Sequence, residues 1–252
     1  MRGKTWILIG IALVWLLTAC QPIATVSPVA TLTPIQVQVT PLLQDWLPRL
    51  NGCAGYLTQS NLLVDTATPT KLDYKANDLV LRLGEKTGDE AFLSVLGPEA
   101  ITFIHYLESP VPSISLDELK QILTGEINNW KDIPSLSEAG VTYDQPITVF
   151  LPEKDHELTA WLGKLLPTDV TLREDAQRVV SSAILQESVN QTPGGLGLIL
   201  KSQALPETRF LPTLDEQSQE VEWEQQVLAI TQAEPAGDLR QLLLCLQAET
   251  QP

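Results

Sequence analysis

Apolar and polar positions along this chain follow two different periods, and the switches between them mark out the elements. Ile35-Gln-Val-Gln-Val39 alternates with period two, as a half-buried strand does. Thr40-Pro41 opens a helix with proline in its first turn. Leu42, Leu43, Trp46, Leu47 and Leu50 then recur at helical spacing, and Pro48 demands a kink or an early stop. Residues 61–64 and 78–83 read as strands, and residues 100–107 as a longer apolar one. Ser115-Leu-Asp-Glu118 is a capping box, with Leu116, Leu119, Ile122 and Leu123 as the apolar stripe behind it. Gly125 is placed to stop that helix in the left-handed region. A strand follows at 146–151, then a helix at 156–166 with Leu158, Trp161, Leu162 and Leu165 on one face. Residues 173–188 suit a helix, 194–200 and 224–231 strands, and 239–248 a closing helix. Strands alternating with helices imply an α/β protein.

The first residues break this rhythm. Arg2 and Lys4 precede an apolar run of twelve residues, Trp6 to Leu17. That is too short to span a hydrocarbon core of about 30 Å as a helix, and it fits a secretory signal. The run ends Leu17-Thr18-Ala19-Cys20, which resembles the lipobox of bacterial lipoproteins. The resemblance implies a signal peptide over 1–19, removed on export, and a lipid on Cys20 that can include palmitate. Several acyl chains on one residue give stable anchoring, since each buried methylene contributes about 0.8 kcal/mol. Residues 20–34 are rich in Pro and Thr and carry no charge, as an extended tether would. The expected location is the extracytoplasmic face of a cell membrane.

Composition narrows the partners. The full chain has 252 residues and a formal net charge of −15, which argues against nucleic acid, whose binding needs a basic footprint. It leaves a soluble surface suited to a monomer. Of three cysteines, Cys53 and Cys245 remain once Cys20 is set aside. An even pair in an exported protein suggests a disulfide; two buried free thiols are the alternative. With only His105 and His156, no histidine cluster has metal-ligand spacing, and neither a phosphate-cradling loop nor a local triad is present. No cofactor, metal or catalytic residue is expected, and the chain reads as a binding protein and not an enzyme.

The segment Ser115-Leu-Asp-Glu-Leu-Lys-Gln-Ile-Leu-Thr-Gly-Glu-Ile-Asn-Asn-Trp130-Lys-Asp-Ile resembles the phosphate-type periplasmic substrate-binding proteins of ABC importers. The apolar strand before Ser109-Pro110-Val111 and the segment Thr192-Pro-Gly-Gly-Leu-Gly-Leu198 are similar to parts of that family in the same order. The resemblance implies a two-lobed α/β fold of the class II periplasmic-binding-protein type, with two crossover strands. It divides the chain into 35–104 plus 206–252 for one lobe and 105–205 for the other, which places Cys53 and Cys245 in the same lobe. It also implies a small polar ligand in the cleft and an ABC permease as partner. The alternative is an interaction or sensory module with the same fold and a degenerate cleft.

Ligands in such folds sit at strand-to-helix loops. Four loops qualify, supplying Thr40; Arg82 and Gly84; Lys154 and His156; and Thr192, Gly194 and Gly195. Phosphate binders of the family carry an Arg and a Ser-Gly-Thr sequence at the third loop. This chain has Leu151-Pro-Glu-Lys-Asp-His-Glu157, with three carboxylates and no glycine. Like charges about 4 Å apart cost about 4 kcal/mol at an effective dielectric of 20, which disfavours phosphate or another oxyanion there. Asp155 is placed to cap the following helix, Arg82 to pair with Glu85 or Asp78, and His105, Trp46 and Trp223 to fill the core.

Overall fold

A computed structural model describes residues 32–85 and 92–248 of the chain. Cys20, the signal and most of the tether lie outside the described residues. The first strand, β1 (Thr33–Val39), begins two residues earlier than its pattern predicts, so Thr33 and Pro34 belong to the sheet and not to the tether. Its alternation buries Ile35, Val37 and Val39. Pro41–Trp46 then forms a 3-10 turn, and α1 (Leu47–Ala54) restarts after it with Pro48 in its first turn. The kink that Pro48 requires therefore falls between two helices.

Strands β2 (Ser60–Thr66) and β3 (Leu79–Leu83) flank β1, both parallel to it. β3 is buried along its whole length, as a strand covered on both faces must be. The long strand β4 (Phe92–His105) starts well before residue 100. Its apolar positions alternate only weakly at that end, where Gly97 and Pro98 interrupt the pattern.

After β4 come the short β5 (Ile114–Ser115) and α2 (Leu116–Thr124). The capping box forms as its residues require: the Ser115 hydroxyl accepts from the Glu118 amide, and Glu118 accepts from the Ser115 amide. Gly125 closes the helix at φ 82°. Past α3 (Pro134–Glu138), β6 (Thr148–Pro152) leads into α4 (Glu157–Leu165). The helix expected over 173–188 does not form as one piece. Gln177–Val179 is a strand, β7, and only Ser182–Gln191 is helical, as α5. The register beside β6 claims Arg178 and Val179 for the sheet, and the Ser181 hydroxyl caps α5 by accepting from the Ile184 amide.

The chain returns through β8 (Gly195–Leu200), β9 (Arg209–Phe210), β10 (Thr213–Leu214) and β11 (Trp223–Thr231) to α6 (Gly237–Ala248). The main sheet runs β2-β1-β3-β11-β4-β8-β6-β7, with β9 paired to β4. β4 is the shared strand. Residues 92–101 pair antiparallel with β11, and residues 101–105 pair with β8. One end of β4 thus belongs to the parallel group β2-β1-β3, the other to the parallel group β7-β6-β8. With β9 as the returning strand, this is the two-lobed periplasmic-binding-protein arrangement. Cys53 in α1 and Cys245 in α6 form a disulfide with Cα atoms 5.7 Å apart, which closes the first group around its two helices.

Candidate functional site

In a parallel sheet the loops that follow strands share the carboxyl edge, and ligands bind in the crevice outside it. Both parallel groups of this protein turn that edge toward the same place. β1, β2 and β3 end there at Thr40, Thr68 and Arg82–Gly84. β6 ends there in the loop that starts α4, and β7 in Ser181. Several contacts tie the two sides. The Asp155 carboxylate accepts from the Thr70 amide at 3.3 Å and from the Thr70 hydroxyl. Lys164 of α4 pairs with Glu85 at 3.0 Å. Gln203 donates to the carbonyl of Leu42 at 3.0 Å.

Between them lies a cavity of about 330 Å³, lined by Leu72, Tyr74, Arg82, Gly84, Glu157, Trp161 and Lys164 among others. Behind this lining Thr40 is wholly buried, and its hydroxyl oxygen has no hydrogen-bond partner among the described residues. Both carboxylate oxygens of Glu157, the first residue of α4, are buried and equally without a hydrogen-bond partner among the described residues. Burial pushes the Glu157 carboxyl above the usual carboxylate range. The nearby Thr40 hydroxyl, the Glu157 and Leu83 backbones and the Arg82 charge pull it back. Arg82 itself is 8% exposed and donates from Nη2 to the Glu85 carbonyl at 2.7 Å. The guanidinium meets the Glu85 backbone, and Asp78 accepts from the Gln36 amide. Gly84 sits at φ 135°, and a Cβ there would stand 3.0 Å from Arg82 Nη1, so the glycine lets the chain turn beside the guanidinium.

The third predicted loop divides by residue. Lys154 is exposed on the loop. His156, and not Asp155, is the N-cap of α4, where its Nδ1 accepts from the Leu158 amide at 3.3 Å. Burial lowers the His156 pKa to about 4, so the ring is neutral and able to accept. His156 lines a second, smaller cavity of about 70 Å³ with Pro41, Ser181 and Gln203. Asp155 is released from capping to reach Thr70, and the Thr68 and Thr70 hydroxyls hold its carboxyl below the usual range.

Thr192, Gly194 and Gly195 lie elsewhere. They connect α5 to β8, and Gly195 pairs with Thr148 at the start of β6, the opposite edge from Pro152 and α4. Gly194 adopts φ 84° with its carbonyl accepting from Trp130 Nε1 and its amide donating to the Tyr143 hydroxyl. This pair of glycines builds a turn and takes no part in either cavity.

Three cavity residues carried no signal as ligand positions: Glu157, Trp161 and Tyr74. Trp161 meets Trp223 edge-on at 5.6 Å between ring centroids, and Trp223 meets Phe103 in the same way. Trp223 therefore props the cavity wall. His105 and Trp46 do lie in the core, at 1% and 3% exposure. Among the described residues no group of three His, Cys, Asp or Glu side chains is placed to hold a metal ion.

The sequence profile of the PBP superfamily domain matches residues 73–242. No curated protein sequence matches the chain. Among solved structures, an ABC-type phosphate transport receptor from Vibrio cholerae superposes with a TM-score of 0.61 at 14% identity, over 85% of this chain and 93% of that one. PstS from Borrelia burgdorferi gives 0.56 at 16% identity, over 85% and 92%. The reduced OxyR regulatory domain from Pseudomonas aeruginosa gives 0.58 at 13% identity, over 89% and 99%. At these identities the likeness is one of fold.

Proposed function

The chain belongs to the PBP superfamily, and on that premise we propose that it is a lipid-anchored, extracytoplasmic solute-binding protein of an ABC importer. The observation that carries the reading is the cavity at the shared carboxyl edge, lined by Arg82, Trp161 and Glu157, whose carboxylate oxygens are buried with no hydrogen-bond partner among the described residues. Buried polar atoms are almost always hydrogen-bonded, and a cluster left open in a crevice is what a polar solute would complete. The lobes are proposed as residues 35–104 with 206–252 and residues 105–205, and the ligand sits between them. The Cys20 lipid and the tether hold the body at the membrane surface, where a permease would receive the solute. Among the described residues no helix is long and apolar enough to cross a membrane. Binding, and not chemistry, is the proposed activity.

A second reading is favoured by one contact. The chain's own Asp155 bridges the crevice to Thr70, which would let the lobes hold together without a solute. An interaction or sensory module of the same fold would behave in that way. A thermal-shift screen over amino acids, sugars, polyols and oxyanions separates the two. The solute-binding reading predicts a concentration-dependent rise in Tm with one class. A flat response to every class would contradict it and favour the module.

A further inference from the structure

We propose a second binding site, outside the crevice, that takes a linear organic diamine along Glu220, Glu222 and Glu224. β11 pairs with β4 as far as Trp223, opposite Ile101, and β9 takes over the same edge of β4 at Ile104. Two segments of chain meet over the gap between them, where the Val221 amide donates to the Thr213 carbonyl at 2.8 Å. A cavity of about 170 Å³ opens there, lined by the three glutamates, Lys201, Thr213 and Leu211 among others. It is separate from the solute cavity. Gln225 lines the solute cavity, and successive residues of a strand point to opposite faces, so Glu224 turns away from it. Exposure alternates from Val221 to Gln225, with Glu222 and Glu224 outermost.

Acidity alone would be solvated surface, and Thr213 supplies an independent ground. It is 1% exposed and lines the same cavity, and its hydroxyl has no hydrogen-bond partner among the described residues. Buried hydroxyls are almost always hydrogen-bonded, and an ammonium group entering the cavity brings the donor that this one accepts. Charge sets the class of ligand. Among the described residues Lys201 makes no ion pair; its ammonium stands 5.8 Å over the Phe210 ring. Even with Lys201 counted, the lining keeps two negative charges, which a dication balances. The three carboxylates are not placed to hold a metal ion together. Alternate residues of a strand lie about 7 Å apart, and an extended chain of four or five methylenes sets two ammonium groups at that separation. Ile101 and Leu211, both buried, give the methylenes an apolar wall.

The test is isothermal titration of the full mature protein with butane-1,4-diamine, butylamine and magnesium chloride at low ionic strength, where exposed charges are least screened. The diamine should bind with 1:1 stoichiometry, and butylamine, with one ammonium group, at least about fivefold more weakly, the worth of one good exposed ion pair. The double variant Glu222→Gln, Glu224→Gln should weaken the diamine by about fivefold or more with an unchanged circular dichroism spectrum, since both positions are exposed. Thr213→Val, which keeps the shape and removes the hydroxyl, should weaken it as well. Ala160→Trp, which fills the solute cavity, should leave diamine binding as it is. Butylamine or magnesium binding as tightly as the diamine would overturn the ligand class and show a general counterion surface. Diamine binding that ignores the double variant, or that Ala160→Trp abolishes, would overturn the site. No heat with the diamine would overturn the proposal and leave the solute-binding reading untouched.

Discussion

Asp155 reaches across the crevice to Thr70, eighty-five residues earlier in the chain, and accepts from both its amide and its hydroxyl. This contact joins the loop after β6 to the turn after β2, so it bears on closure more than on the stability of either side. Asp155→Ala is expected to cost no more than about 1 kcal/mol of global stability, as for an exposed hydrogen bond. Its main effect should be a larger population of open molecules, read as a greater radius of gyration by small-angle scattering. An unchanged scattering profile would show that the contact does not hold the lobes.

The disulfide closes a loop of 192 residues, and the chain-entropy treatment gives it about 5 kcal/mol. Cys245→Ser, or reduction of the native protein, is expected to lower the free energy of unfolding by about 2–5 kcal/mol in urea titrations. Non-reduced peptide mapping should recover Cys53 and Cys245 in one linked species.

Gly194 offers a control that separates fold from ligand. Its φ of 84° disfavours any side chain, and an added Cβ would stand 2.2 Å from the Pro146 carbonyl oxygen. Gly194→Ala is expected to destabilise the protein by roughly 3 kcal/mol through backbone strain and displacement. Solute affinity, measured below the lowered Tm, should be unchanged, because the turn lies on the opposite edge of the sheet.

His105 predicts the acid limb of stability. Its ring is 1% exposed, and Arg209 stands opposite it in β9. Burial first and the Arg209 charge second lower its pKa to about 4. The unfolded chain, with His near 6.5, therefore binds more protons between these values, so stability is intact above pH 6.5 and falls as the pH drops toward 4. The loss attributable to His105 is up to about 3 kcal/mol. His156 contributes with the same sign. His105→Leu should flatten this part of the stability–pH curve; an unchanged slope would place the acid sensitivity elsewhere.

Much of this architecture was legible in the sequence, for reasons tied to particular residues. Ser115 and Glu118 announced α2 because a capping box is a local device. Thr40, Arg82 and Gly84 were legible as a group because each follows or ends a strand with a clear period. Glu157 and Trp161 were not. Both read as ordinary positions of an amphipathic helix, and only the packing of α4 against the far side of the crevice turns them into a cavity wall. Thr192, Gly194 and Gly195 drew attention through their composition, although connection order argues against them: a loop that follows a helix and precedes a parallel strand lies at the amino edge. The 173–188 segment misled because Arg178 and Val179 obtain their strand geometry from β6, a partner twenty-six or more residues away.

The central claim is that a solute binds in the cavity lined by Arg82, Trp161 and Glu157. Ala160 is exposed on α4 and lines that cavity, so Ala160→Trp fills the space without disturbing the core. Calorimetric titration of wild type and Ala160→Trp with the solute identified by thermal shift is the most direct measurement. The account predicts saturable 1:1 binding to wild type that Ala160→Trp abolishes, with the Tm of the unliganded variant nearly unchanged. Binding that persists in Ala160→Trp, or no binding to wild type, would contradict it.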